Sequence, residues 1–156
     1  MTLPTQNENP PLRLLMAFQQ AYPGLNPAYI MQAPGREMWV AASVERAEAF
    51  TIYSYDLEGR TSFDWRSAKL KRTLLNRPLP RWARYPSGVV VKLCLEQMDI
   101  AGFDAVVISD EAPGPRYDYS LGVMFAALMY VLNDRPYVEN DLLAIVDSVR
   151  REYVEG

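Results

Sequence analysis

The chain has 156 residues, a formal net charge of −3, 49% apolar and 22% charged side chains, one cysteine and no histidine, the composition of one ordinary globular domain. A single cysteine excludes an internal disulfide framework and any C-x-x-C zinc or redox site, and a chain without histidine has no Ser-His-Asp triad, Cys-His pair, imidazole base or histidine metal site. Chemistry here must rest on carboxylates, Lys and Arg, hydroxyls or a partner's groups.

Residues 1–11 read as a flexible, Pro-rich lead-in to a single domain over 12–156. Pro11 suits the first turn of a helix. Leu12, Leu15, Met16 and Gln19, widened by Phe18, form its apolar stripe, and Tyr22-Pro23-Gly24 ends it. Short strands are predicted over 29–32, 38–44 and 49–55, the first broken off by Ala33-Pro34-Gly35. Glu58-Gly59 turns the chain into a strand over 60–63, and residues 64–80 read as loop or short helix. A helix runs from Arg81 to about Met98 on Val89, Val90, Leu93, Cys94 and Gln97, which makes Cys94 a core residue. The apolar run 103–109 reads as a buried strand, and residues 110–116 as a loop. Leu121, Met124, Phe125, Leu128, Val131 and Leu132 mark a largely buried helix, and Leu142, Ile145, Val146 and Val149 a last one. Four helices and about five strands, hairpin-like early, predict an α+β fold: helices layered on a mixed, mostly antiparallel sheet, with doubly wound α/β as the alternative.

No apolar run approaches the length that spans a bilayer, and the N-terminus lacks the apolar centre of a secretory signal. With the free thiol of Cys94, this points to the cytoplasm, and neither a membrane nor nucleic acid is an expected partner.

Charge is uneven. Residues 60–84 carry eight basic side chains against Asp64, a formal +7, and the remainder sums to −10. Such a block reads as a solvated linker or as an anion-binding surface. Thirteen of the sixteen cations are arginine, which suits planar pairing with carboxylate or phosphate. Asp104, Asp110, Glu111 and Asp118 bracket one strand and its loop, as a carboxylate pair or Mg site would require, or as solvated acids.

Three segments in order resemble the N-terminal half of galactokinases, members of the GHMP small-molecule kinase superfamily. Gln32-Ala33-Pro34-Gly35-Arg36 resembles the opening of the galactokinase signature. Trp82-Ala83-Arg84-Tyr85, followed by Gly88-Val89, is similar to the family's W-x-x-Y-x-x-G-V helix start. Gly102-Phe103-Asp104 through Ile108, with Ala112-Pro113-Gly114 after it, resembles the strand and entry to the phosphate loop. Arg151-Glu152-Tyr153-Val154 is similar to the helix end before the family's catalytic aspartate. The resemblance implies the GHMP kinase N-terminal fold, a two-layer α+β sandwich related to domain 2 of a ribosomal small-subunit protein. It implies Arg36 as a substrate contact and Trp82, Pro113, Gly114 and Ser120 as nucleotide contacts.

The departures from the family pattern weigh as much. After Arg36 the sugar loop is replaced by Glu37-Met38-Trp39-Val40. Pro115 and Tyr117 stand at glycine positions of the phosphate loop; proline lacks an N–H and tyrosine resists positive φ. Asp118 adds negative charge there. The family's catalytic Asp and its C-terminal domain would lie beyond Gly156. These departures imply a non-catalytic galactokinase-like domain, without a cofactor, used for binding or assembly. A homo-oligomer or protein partner would then cover the face that the second domain covers in the family. Half of a split galactokinase or related sugar kinase, using ATP and Mg with a second chain, is one alternative; an anion-binding module on 60–84 is another. Arg116, Tyr117 and Tyr119 form an aromatic-arginine cluster of the kind found at interfaces, or local packing. Trp39 and Trp65 suggest no role.

Overall fold

The computed structural model describes residues 11–45, 47–98 and 102–156. The predicted lead-in therefore lies outside the described residues, except for Pro11. Helix α1 spans Leu12–Ala21; strands β1 (Tyr29–Gln32), β2 (Met38–Ser43), β3 (Phe50–Ser54) and β4 (Gly59–Phe63) follow. Then come α2 (Trp65–Lys69), a 3-10 turn (Arg81–Ala83), α3 (Arg84–Leu95) and β5 (Phe103–Ser109). Helices α4 (Pro115–Leu132) and α5 (Glu139–Val149) complete the fold, α5 running into a π-helical turn, Arg150–Val154.

The sheet order is β1-β2-β5-β3-β4. Strand β5 enters last and lies centrally, antiparallel to β2 with Met38 opposite Ser109, and parallel to β3 with Phe50 opposite Phe103. The two hairpins are antiparallel, so the sheet is mixed and mostly antiparallel. Successive side chains alternate between faces. Met38, Val40, Ala42, Phe50, Ile52, Phe103, Ala105 and Val107 face the core shared with α3, α4 and α5. Trp39, Ala41, Val106 and Ile108 face the opposite way, under Leu14, Ala17, Phe18 and Tyr22. Burial on both faces explains the unbroken apolar stretch of residues 105–108 within β5. The main core is stitched by aromatic pairs, Phe50–Phe103 at 5.0 Å and Phe103–Phe125 at 5.4 Å between ring centroids.

Three expectations need correction. The buried stripe of α1 is Leu14, Ala17 and Phe18; Leu12 and Met16 are exposed. Helix α3 ends at Leu95, and Gln97 beyond it takes a left-handed φ of 68°, so Gln97 is not on its apolar face. Cys94 is half-buried against the core, not enclosed by it. Among the described residues, no helix is long and apolar enough to cross a membrane.

Candidate functional site

The sheet's C-terminal end at β5 leads through residues 110–114 into α4. This loop is braced: Ser109 Oγ donates to the Glu37 carbonyl at 2.9 Å and accepts from Glu111 N at 2.8 Å, and Asp110 N also donates to Glu37 O. Gly114 supplies a φ of 148° at the N-cap, and Pro115 takes the first helical position, where its missing N–H costs nothing. The sequence reading placed Pro115, Arg116 and Tyr117 in the loop. They are in the first turn of α4, because proline's fixed φ starts a helix as readily as it ends one.

Tyr117 is accordingly not part of a loop. It is fully buried, its hydroxyl 2.6 Å from Ser54 Oγ and donating to Asp56 Oδ2 at 3.0 Å. Burial raises the pKa of Tyr117 well above the ordinary phenol value and also pushes the Asp56 carboxyl up, against the hydrogen bond from Tyr117. Tyr119 is half-buried, donating to Asp147 Oδ1 at 3.0 Å with its ring 5.9 Å from that of Tyr85. Arg116 is exposed, with Nε 3.2 Å from Glu111 Oε1.

A pocket of about 660 Å³ opens beside this first turn. Pro115, Arg116, Asp118 and Tyr119 of α4 form one wall, Arg81, Arg84 and Tyr85 a second, and Asp147, Arg150, Val154 and Glu155 a third. Four arginines thus share one cavity with three carboxylates. Two of the ion pairs are loose: Arg81 Nε to Asp118 Oδ2 at 4.0 Å and Arg150 Nη2 to Asp147 Oδ1 at 3.9 Å. The Arg84 Nε is buried and has no hydrogen-bond partner among the described residues. Burial raises the Asp118 pKa, partly offset by Arg81.

The other predicted site residues scatter. Arg36, in the turn between β1 and β2, donates through Nη1 to Ser120 Oγ at 3.2 Å and lies 5.0 Å over the Tyr119 ring, so it meets α4 behind the pocket wall. Trp82 packs its indole on Gly59, where an added Cβ would meet Cζ2 at 3.4 Å. Pro113 and Gly114 lie in the braced loop. The four acids do not gather: Asp104 sits at the far end of β5, while Asp110 pairs with Arg13, Glu111 with Arg116 and Asp118 with Arg81. No cluster of three or more metal-ligating side chains occurs among the described residues. The basic block also divides: Arg60 stacks on Tyr22 and Tyr53 beside α1, Arg81 and Arg84 line the pocket, and the rest lie on α2 and the loop after it.

Sequence reasoning missed Arg81, Arg84, Tyr85, Asp147 and Arg150 as pocket residues. The available signal was spacing: Arg81/Arg84 and Asp147/Arg150 are each three apart, so each pair shares a helical face.

No family model matches the sequence, and no curated protein sequence matches it. Among solved structures, the fold is similar to Lactococcus lactis galactokinase complexed with galactose, at 15% identity and TM-score 0.63 over 78% of this chain and 31% of that one. It is similar to a mevalonate kinase at 10% identity and TM-score 0.55, over 74% of this chain and 37% of that one. The Methanococcus jannaschii mevalonate kinase gives 10% and 0.55, over 74% and 36%. This chain spans 31–37% of the length of those proteins. Helices on a five-stranded mixed sheet, matched to these neighbours, give the chain the GHMP-kinase-like α+β fold of their N-terminal domains.

Proposed function

We propose that this chain is a non-catalytic GHMP-fold domain that binds a small polyanionic molecule through arginine side chains in the pocket beside α4. The observation that carries this reading is the pocket itself: Arg81, Arg84, Arg116 and Arg150 line it, and the ion pairs that Arg81 and Arg150 make there are loose. Guanidinium groups whose carboxylate partners stand as far off as 4.0 Å at Arg81 and 3.9 Å at Arg150 can make charge-assisted bonds to an anionic ligand. The volume lies within the range of about 300–1,000 Å³ typical of small-molecule sites.

Phosphoryl transfer is not part of the reading. A phosphate cradle needs backbone N–H groups converging at a helix N-terminus. Here Pro115 removes one donor, the Tyr117 side chain is turned into the core, and the Asp118 carboxyl stands on the pocket wall. The galactokinase and mevalonate kinase neighbours make a nucleotide the natural first probe. Calorimetric titration with ADP and ATP, with and without Mg²⁺, tests the proposal: binding is saturable, indifferent to Mg²⁺, and weakened about tenfold or more by Arg84→Gln with Arg150→Gln. Mg²⁺-dependent ATP binding, with phosphorylation of galactose once a second chain is added, would support the split-kinase alternative instead.

A further inference from the structure

We infer that the loop following α2 is a peripheral docking site for an anionic lipid surface. The loop is held by its own backbone. Arg72 bridges Pro78, Leu79 N donates to Lys71 O, and Thr73 N donates to Arg77 O. Asn76 N donates to Thr73 O at 2.9 Å, closing a turn whose two central residues are Leu74 and Leu75. Leu74 N is tied to Ser62 O of β4, and Arg72 Nη1 donates to Asn76 O. Turn centres normally carry Gly, Asn, Asp or Pro. Here they carry two leucines, 47% and 80% exposed, with Leu70 close by in sequence at 73%. A turn already ordered by hydrogen bonds loses little further entropy when its side chains dock.

The charged side chains of the segment that carries the turn have one sign, and its Lys71 Nζ donates to Gly156 O at 3.2 Å. Residues 65–95 contain no carboxylate, and Asp64 is used as the helix cap, accepting from Ser67 N. The bridge sets Arg72 and Arg77 on opposite arms of the turn, and Arg66 and Lys69 lie one helical turn apart on α2. None of these four cations is in an ion pair among the described residues. A turn with exposed aliphatic side chains at its centre and cations on its arms matches a bilayer surface, where leucines enter the acyl boundary and Lys or Arg meet anionic headgroups. Protein hot spots are enriched instead in aromatic and Arg anchors seated in well-packed pockets. The contact is with the surface only, and it departs from the sequence reading, which expected no membrane partner.

The test is co-sedimentation of the full chain with phosphatidylcholine vesicles, either pure or containing about 30% phosphatidylserine. The expected result is binding to the anionic vesicles alone, lost as salt rises. Each basic residue near such a surface contributes about fivefold, so Arg66→Gln with Arg77→Gln lowers partitioning more than tenfold. Leu74→Ser with Leu75→Ser abolishes pelleting while leaving the urea midpoint unchanged. A wild-type chain that stays in the supernatant with anionic vesicles overturns the inference, as does a leucine variant that pellets like wild type. Retention on immobilised polyglutamate without vesicle binding also overturns it, and assigns the loop to an acidic protein partner.

Discussion

Tyr117 Oη and Ser54 Oγ meet at 2.6 Å inside the core, 63 positions apart in sequence, and so fasten the first turn of α4 to the end of β3. Asp56 completes the trio from the turn after β3, accepting from Tyr117. The side chain at a glycine position of the family's phosphate loop instead ties α4 to the sheet.

Replacing Tyr117 by Phe leaves Ser54 and Asp56 without that hydroxyl, a loss of about 1–3 kcal/mol for buried polar groups stripped of a partner. Urea unfolding should show a lower midpoint with an unchanged slope. Ser54→Ala in the Tyr117→Phe background should then cost less than Ser54→Ala alone, because the shared bond is already gone.

Burial raises the pKa of Asp118, and the facing Arg81 is too exposed to offset it fully. A carboxyl whose folded pKa lies above its unfolded value favours folding below the unfolded value and loses that contribution as pH rises through the folded one. Asp118→Asn should therefore gain on the wild type as pH rises to 7, and the gain should vanish below the ordinary aspartate value of 3.8. Urea midpoints of both proteins across that range check it; a gap that widens in acid contradicts it.

Gly88 lies where α3 crosses α5 and the π-helical turn: an added Cβ would meet Val149 Cγ1 at 2.5 Å and Tyr153 Cδ1 at 2.7 Å. Alanine for glycine inside a helix ordinarily stabilises by about 1 kcal/mol. At this crossing the overpacking reverses the sign, and Gly88→Ala should destabilise by about 1–3 kcal/mol in thermal or urea unfolding. Tyr153 bonds both Ser87 and the Ala68 carbonyl, so its ring has little room to yield.

Much of the fold was legible because its signals were local. Ala33-Pro34-Gly35 punctuates β1, and the strand ends at Gln32 as expected. The run from Phe103 to Ser109 announced a strand buried on both faces. The orientation of α1 was not legible: Leu12, Leu15 and Met16 make one helical stripe, Leu14, Ala17 and Phe18 another, and only the sheet beneath decides between them. The start of α4 was misread because Pro113-Gly114-Pro115 signals a loop and a helix N-terminus alike. The pocket was hidden for a different reason. Its walls come from residues 81–85, 115–119 and 147–155, and only tertiary packing brings Arg84, Arg116 and Arg150 together. Charge density in the sequence pointed to 60–84 as a unit, which the fold divides among three places.

The central claim is that arginine side chains, not a metal-assisted backbone cradle, hold the ligand of this pocket. The most direct measurement is the calorimetric titration of ADP into the wild type and into the Arg84→Gln, Arg150→Gln variant, each with and without Mg²⁺. The account predicts saturable binding that Mg²⁺ leaves unchanged and that the paired substitution weakens about tenfold or more. Binding that requires Mg²⁺, or that survives loss of both arginines, would contradict it.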